Sequence, residues 1–181
     1  MSSRWEESLI SGALIGSAFA AEDVRGFFVK PWTSKESPLG IHLDEVFYST
    51  SRVGVVRGMH VQKGRAAGHR LVFVTSGEAR DFVVDLRVGS PTYGRVIETL
   101  LVPGGHCVLV PPGCAHGFES VKDATTMVYI QEGTHEPGLD IGVHWTSCGL
   151  APKSSSPVVS TRDDALPHLK DFHSPFIWGE A

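Results

Sequence analysis

The chain has 181 residues, of which 41% are hydrophobic and 20% are charged. This composition is typical of a folded globular protein, and the length predicts a single domain covering residues 1–181. The net charge of −4 excludes broad nucleic-acid binding, because Lys and Arg are too few to neutralise phosphates, but it is compatible with a small anion held by a few local arginines.

The first apolar segment, LISGALIGSAFA at 9–20, resembles the hydrophobic core of a signal peptide and ends in an Ala-x-Ala-like cleavage site. Glu6 and Glu7 precede it against the single Arg4, which is the wrong charge for such a leader. The segment is also too short and too rich in Gly and Ser to span a bilayer. We therefore predict an opening pair of strands here and no processing.

Short runs of β-forming residues follow, most of them bounded by Gly, Pro or Ser, as in antiparallel sandwiches and barrels. A helical segment is expected only within 161–171, where Thr161 is the candidate cap. We predict an all-β jelly roll, a β-sandwich or barrel with a short C-terminal helical segment. The predicted strands lie within 26–32, 44–51, 53–61, 70–77, 79–88, 94–102, 106–112, 125–133 and 141–145.

The three cysteines, Cys107, Cys114 and Cys148, form no Cys-x-x-Cys pair and no even-numbered framework. They are interpreted as reduced thiols, which predicts a cytoplasmic protein.

The central runs also carry polar residues among Val, Leu and Phe. Burying so many polar groups is costly unless they are paired or line a cavity, so a polar barrel mouth is a candidate binding site. The alternative is that several of them face outward on the other side of each strand. These residues are Arg57, His60, Gln62, Arg70, Asp81, Asp85, His116 and Tyr129.

Histidines in the segment 55–71 raise the alternative of a metal site. A jelly-roll metal enzyme supplies His-x-His, but here Gln62 stands at the second position and His69 is nine residues from His60. No carboxylate accompanies them, and His116 alone completes no ligand set. We expect no metal and no cofactor.

Several motifs, in order, resemble the dTDP-4-dehydrorhamnose 3,5-epimerase family of nucleotide-sugar epimerases, over about 20–167. The resemblance implies a metal-free cupin jelly roll that works as a homodimer, with strands contributed across the dimer. The motifs are DVRGFF (23–28), RGMHVQ (57–62), SGEARDFVVDLRVGSPTYG (76–94), VPPGCAHGFESV (110–121) and SPVVSTRDDALP (156–167).

The resemblance also implies four catalytic residues. His60 matches the base that removes a proton α to a sugar C4 carbonyl, a role that suits the near-neutral pKa of histidine. Asp163 matches the carboxylate paired with it, although a helix-start carboxylate is the alternative. Tyr129 matches the acid on the other face of the sugar. Arg70 stands where the family has Lys, and it keeps the charge without being able to give up a proton.

The remaining motif positions imply substrate contacts. Arg25 and Arg57 match arginines that bind phosphate or nucleotide, and His116 matches a histidine that contacts sugar or phosphate. Asp81 matches an inward carboxylate near the base. The substrate-binding set expected from the resemblance is Arg25, Phe28, Arg57, Gln62, Asp81 and His116.

This chain departs from the family pattern at several positions, of which the resemblance implies that Lys30 and Phe47 contact the nucleotide. Lys30 replaces Glu, Phe47 replaces Asn, and two late tyrosines are lost, with His135 where one stood. The nucleotide therefore stays open between dTDP, GDP, CDP and another nucleotide, and a sugar other than the 6-deoxyhexose is an alternative as well.

The expected function is a nucleotide-diphospho-4-keto-sugar 3-, 5- or 3,5-epimerase, an isomerase of deoxysugar or modified-heptose biosynthesis. The alternative is a cupin that binds a nucleotide sugar without epimerising it. A third hypothesis, a metal-dependent cupin oxygenase, requires a bound transition metal.

Overall fold

The computed structural model describes residues 5–38 and 40–180, and thirteen β-strands lie in this part of the chain. Every pairing between these strands is antiparallel. The strands are β1 (Trp5–Glu7), β2 (Leu14–Ser17), β3 (Phe19–Asp23), β4 (Gly26–Lys30), β5 (Glu45–Ser51), β6 (Val56–Gln62), β7 (Arg70–Ser76), β8 (Ala79–Asp85), β9 (Val96–Leu101), β10 (His106–Val110), β11 (Cys114–Ser120), β12 (Thr125–Gln131) and β13 (Asp140–Gly142).

Two main sheets account for most of these strands. One has the order β1-β2-β10-β7-β12-β5 and the other the order β13-β6-β11-β8-β9, while β3 and β4 form a two-stranded sheet of their own. An apolar cluster that includes Val72, Val83, Phe118 and Met127 draws on both main sheets. The all-β prediction is therefore confirmed.

The run of apolar residues in β8 has a packing explanation. Val83 joins the cluster between the sheets, whereas Phe82 and Val84 lie on the outer face of β8. That outer face is also buried, because the C-terminal segment packs over it through Phe172 and Phe176. A strand covered on both faces loses the apolar-polar alternation of a half-buried strand.

Two of the strands, β1 and β11, were not predicted. β11 is buried at every position, yet its sequence, CAHGFES, is poor in β-branched residues and contains Gly117. A β-carbon on Gly58 of β6 would lie 2.6 Å from the Cα of Gly117. The two strands can therefore approach this closely only with glycine at both positions.

The prediction of a strand pair within 9–20 is confirmed only in part, because β2 and the start of β3 lie there but do not pair with each other. β2 pairs with β1 and β10, while β3 pairs with β4. The residues before β2 form a turn instead, in which the backbone N–H of Ser8 donates to the carbonyl of Ala13.

The C-terminal helical prediction is confirmed for the α-helix but wrong about its cap. α1 (Thr161–Asp164) is the α-helix of the described residues, and the hydroxyl of Ser160, rather than Thr161, accepts a hydrogen bond from the N–H of Asp163. Short 3-10 turns also occur outside 161–171, against expectation, at Ser34–Glu36, Gly64–Ala66, Pro137–Leu139 and Trp145–Cys148, beside one at Leu169–Asp171.

Among residues 5–38 and 40–180, no helix has the length and apolar character needed to cross a membrane.

Candidate active site

A cavity of about 300 Å³ is lined by strands of both main sheets and by α1. β6 and β11 contribute from one sheet, and β5, β7 and β12 from the other. Of the ten residues that the resemblance implicates, His60, Asp163, Tyr129, Arg70, Arg57 and His116 line this cavity.

His60 and Asp163 form a hydrogen-bonded pair at the cavity wall. His60 Nε2 lies 2.9 Å from Asp163 Oδ1, and the N–H of Gly58 donates to Asp163 Oδ2 at 3.0 Å. Burial opposes ionisation of Asp163, but the hydrogen bonds from His60 and Gly58 outweigh it, so the pKa of this carboxyl lies below its ordinary value. An ionised Asp163 fixes the ring of His60 and leaves the other ring nitrogen for a substrate.

Asp163 also sits in the first turn of α1, where its N–H is capped by Ser160. Asp163 is therefore both a residue of the helix start and the partner of His60. The short helix places the carboxylate, and β6 brings both of its partners.

A second His–Asp pair lies deeper in the fold. His116 Nε2 lies 2.5 Å from Asp81 Oδ1, and the two residues are only 4% and 1% exposed. In the pairing of β11 with β6, His116 is directly opposite His60. Asp81 does not line the cavity itself but holds the imidazole that does.

Tyr129 projects from β12 into the cavity. Its ring stacks on Phe47 at a centroid distance of 4.9 Å and meets His116 edge-on at 5.9 Å. The hydroxyl lies 3.4 Å from Ser49 Oγ. Burial raises the pKa of Tyr129 to about 12, so the hydroxyl keeps its proton at neutral pH.

The cavity carries two positive side chains from the predicted set. Arg57 is exposed to the cavity mouth, and its Nε donates to Ser51 Oγ at 3.0 Å. Arg70 donates from Nε and Nη2 to Gln131 Oε1, at 3.2 and 3.1 Å. Both guanidinium groups can therefore bind an anionic ligand.

Besides Asp81, three predicted binding residues lie outside this cavity. Arg25 and Phe28 are on the β3–β4 hairpin, where Arg25 Nε donates to Asp23 at 3.0 Å and Phe28 is 57% exposed. Gln62 is buried, accepts from the N–H of Glu136 at 2.9 Å, and borders a small inner void of about 20 Å³. The cavity of a single chain therefore does not include these three side chains, and their roles in substrate binding stay predictions.

Other cavity residues were missed by the sequence analysis. Asp140 on β13 receives Arg162 Nη2 at 2.7 Å and lies 3.1 Å from His135 Nε2. Ser49 could have been found from its position two residues after Phe47, since alternate strand residues share a face. The contact of Asp140 with Arg162 joins segments 22 residues apart and carries no local signal.

His60 and His69 are separated by the fold. His69 Nδ1 contacts Glu132 Oε2 at 2.8 Å and does not line the cavity. Within the described ranges, no group of three or more His, Cys, Asp and Glu side chains is arranged to hold a metal ion. The metal-free chemistry stays a prediction.

The comparisons with known proteins agree on one family. The sequence profile described as dTDP-4-dehydrorhamnose 3,5-epimerase matches residues 7–171. The chain is 34% identical over 156 residues to a dTDP-4-dehydrorhamnose 3,5-epimerase of Sinorhizobium fredii, covering 81% of this chain and 80% of that protein. It is 38% identical over 130 residues to a dTDP-4-dehydrorhamnose 3-epimerase of Streptomyces niveus, covering 70% and 63%.

The fold agrees with the sequence. A dTDP-6-deoxy-D-glucose-3,5-epimerase of Legionella pneumophila, solved in complex with dTDP-4-keto-L-rhamnose, superposes with a TM-score of 0.89 at 27% identity, covering 98% of each chain. The resemblance carried by the motifs is thereby confirmed. On the match of residues 7–171 and on these relatives, the chain belongs to the dTDP-4-dehydrorhamnose 3,5-epimerase family.

Proposed function

We propose that the protein is a nucleotide-diphospho-4-keto-sugar epimerase that inverts C3, C5 or both through an enolate. The observation that carries this proposal is the cavity in which a His–Asp pair, a protonated tyrosine and a guanidinium converge. The enzyme class, an isomerase, agrees with the relatives, which include both 3,5- and 3-epimerases.

Proton abstraction is assigned to His60. The ring nitrogen that does not contact Asp163 takes the proton from the carbon α to the C4 carbonyl, and the electron pair of that C–H bond moves onto O4. Asp163 stabilises the imidazolium that results. Arg70 stabilises the negative oxygen with its fixed charge.

Reprotonation is assigned to Tyr129. Its hydroxyl gives a proton to the opposite face of the same carbon, the O4 electrons re-form the carbonyl, and the configuration inverts. Even with its pKa raised to about 12, the phenol is far more acidic than the sugar carbon, so the transfer runs downhill. Exchange with solvent then returns His60 to its neutral form and Tyr129 to its protonated form.

The diphosphate is assigned to arginines from two chains. Arg57 lies at the cavity mouth, whereas Arg25 lies on a hairpin whose Phe19, Phe27 and Phe28 are 52%, 64% and 57% exposed. Such an apolar hairpin is expected to pack on a second copy, which would bring Arg25 to the cavity of the partner subunit. A homodimer with exchanged hairpins follows.

The remaining expectations are part of the same proposal. Cys107, Cys114 and Cys148 are buried and form no disulfide within the described residues, which supports a reducing, cytoplasmic environment. The domain is single, with its core within about 20–167, and needs neither metal nor cofactor, because the chemistry is proton transfer alone.

The test is turnover with a panel of dTDP-, GDP- and CDP-linked 4-keto-6-deoxyhexoses, followed by proton NMR of C3 and C5. We expect inverted product from at least one nucleotide. Binding without inversion would favour the alternative, a nucleotide-sugar-binding cupin. Neither binding nor inversion with any of them would contradict the proposal.

A further inference from the structure

Arg70, Gln131 and Glu45 form one row across three adjacent strands. In the register of the sheet, Gln131 of β12 is opposite Arg70 of β7 on one side and Glu45 of β5 on the other. Directly opposed residues in antiparallel strands have neighbouring side chains. The row reaches from the cavity wall at Arg70 to the edge strand of the sheet.

Hydrogen bonds run along this row in one direction. Gln131 Oε1 accepts both Nε and Nη2 of Arg70, and Gln131 Nε2 donates to Glu45 Oε2 at 3.0 Å. The same oxygen of Glu45 accepts the backbone N–H of His135 at 2.7 Å. The carboxylate of Glu45 therefore decides which end of the Gln131 amide faces Arg70, since a carboxylate can only accept.

The partner of Arg70 is neutral at a position where a carboxylate would fit. Arg70 presents the Nε and Nη2 edge of its guanidinium, the edge that can bind the two oxygens of a carboxylate through parallel hydrogen bonds. Here both N–H groups share the single amide oxygen of Gln131. In the described part of the chain, however, Asp140 and Glu45 act on Arg70 only through charge at a distance. The positive charge of Arg70 therefore remains available to a ligand.

We propose that Gln131 is a positioning residue for the epimerase reaction, which fixes Arg70 toward the sugar carbonyl without neutralising it, and that Glu45 sets the orientation of the Gln131 amide. The inference rests on the proposed function. A fixed cation that needs no reorganisation as the enolate forms stabilises the transition state, whereas one already paired with a carboxylate gives up part of that effect.

The test is Gln131→Glu, which keeps the shape of the side chain and converts the neutral acceptor into an ion-pair partner. We expect kcat to fall about tenfold to a hundredfold, with KM changed by no more than about twofold. Lys122→Gln is the matched control, because it changes the net charge by the same amount at an exposed side chain that pairs with Glu78, away from the cavity. It should keep the wild-type kcat.

A double variant separates positioning from general damage. In an Arg70→Met background, Gln131→Glu should cause no further loss of kcat, because its effect acts through Arg70. Should Gln131→Glu fail to fold, Glu45→Gln takes its place, with a loss of about threefold to tenfold in kcat that also disappears in the Arg70→Met background.

Two results would overturn the inference alone: wild-type kcat in Gln131→Glu, or the same fractional loss with and without Arg70. A wild-type enzyme inactive on every 4-keto sugar would instead overturn the proposed function, and this inference with it.

Discussion

His60 Nε2 and Asp163 Oδ1, which belong to residues 103 positions apart in the chain, meet at 2.9 Å in the wall of the cavity. The contact depends on α1, whose first turn holds Asp163, and on β6, which supplies both His60 and the N–H of Gly58. Because one carboxylate oxygen contacts His60 and the other accepts the N–H of Gly58, the carboxylate is held in one orientation and stays ionised.

Replacing Asp163 with Asn should leave a folded protein with little activity. The amide can no longer stabilise the imidazolium and can hold His60 in the wrong tautomer, so we expect kcat to fall about 10²- to 10⁴-fold. Steady-state kinetics and a melting curve would measure this. The control is Asp164→Asn at the next, exposed position, which should be neutral for activity. Equal activity of both variants would show that Asp163 is only a helix-start carboxylate.

The Tyr129→Phe variant should separate the two proton transfers. Removing the hydroxyl leaves His60 in place, so the sugar proton should still exchange with solvent while inversion slows about a hundredfold. NMR in D2O can follow exchange and inversion in the same sample. Tyr93→Phe, at a partly exposed tyrosine outside the cavity, is the control. Unchanged inversion in Tyr129→Phe would assign the acid to another group.

Much of this site was predictable because its residues lie in contiguous motifs. The segment RGMHVQ places His60 and Arg57, and STRD places Asp163, at positions that all line one cavity. The strand runs were recognisable for a related reason, since β-branched residues between turns define them locally.

The failures have a common physical cause, which is that the deciding interactions are not local. The sequence of β11 is not typical of a strand, because glycine is needed at position 117 where β6 comes close. Burial of its side chains, rather than the β-propensity of its residues, stabilises this strand in the sheet. The contacts of Gln131 follow from the strand register, which places it between Arg70 and Glu45, and the local sequence does not indicate them. Arg25 lies on the β3–β4 hairpin rather than in the cavity wall, and the motif that contains it gives no sign of this.

Mixing two variants that are each defective at low substrate should test the exchanged hairpin. His60→Ala removes the base, and Arg25→Ala should raise KM about tenfold to a hundredfold by removing a charged hydrogen bond to phosphate. If Arg25 serves the partner subunit's cavity, a mixed dimer contains one intact site, and activity at low substrate should recover after subunit exchange. If Arg25 serves its own chain, every site in the mixed dimer is defective and no recovery should occur.

Asp85 should be a stability residue with a defined pH dependence. Burial opposes its ionisation, but hydrogen bonds from Arg87, Ser90 and Thr92 outweigh it and lower its pKa from 3.8 to about 2. Because the folded-state pKa lies below the unfolded value, the stabilisation is complete above about pH 4 and is lost as the pH falls toward 2. The shift corresponds to about 2 kcal/mol of unfolding free energy.

Urea unfolding of Asp85→Asn at pH 7, 5, 4 and 3 measures this contribution, with Asp123→Asn at an exposed position as the control. We expect the difference in unfolding free energy between the wild-type protein and Asp85→Asn to become smaller as the pH falls below about 4. A deficit that stays constant down to pH 3 would assign the effect to packing rather than to the carboxylate charge.

The central claim is that His60 removes a proton next to a sugar carbonyl, and the most direct measurement is deuterium incorporation from D2O into a nucleotide-linked 4-keto sugar. We predict incorporation at C3, C5 or both with the wild-type protein and with His106→Ala, an exposed histidine at the start of β10. Incorporation should be absent with a folded His60→Ala protein. Incorporation that persists at the wild-type rate in His60→Ala would contradict the account.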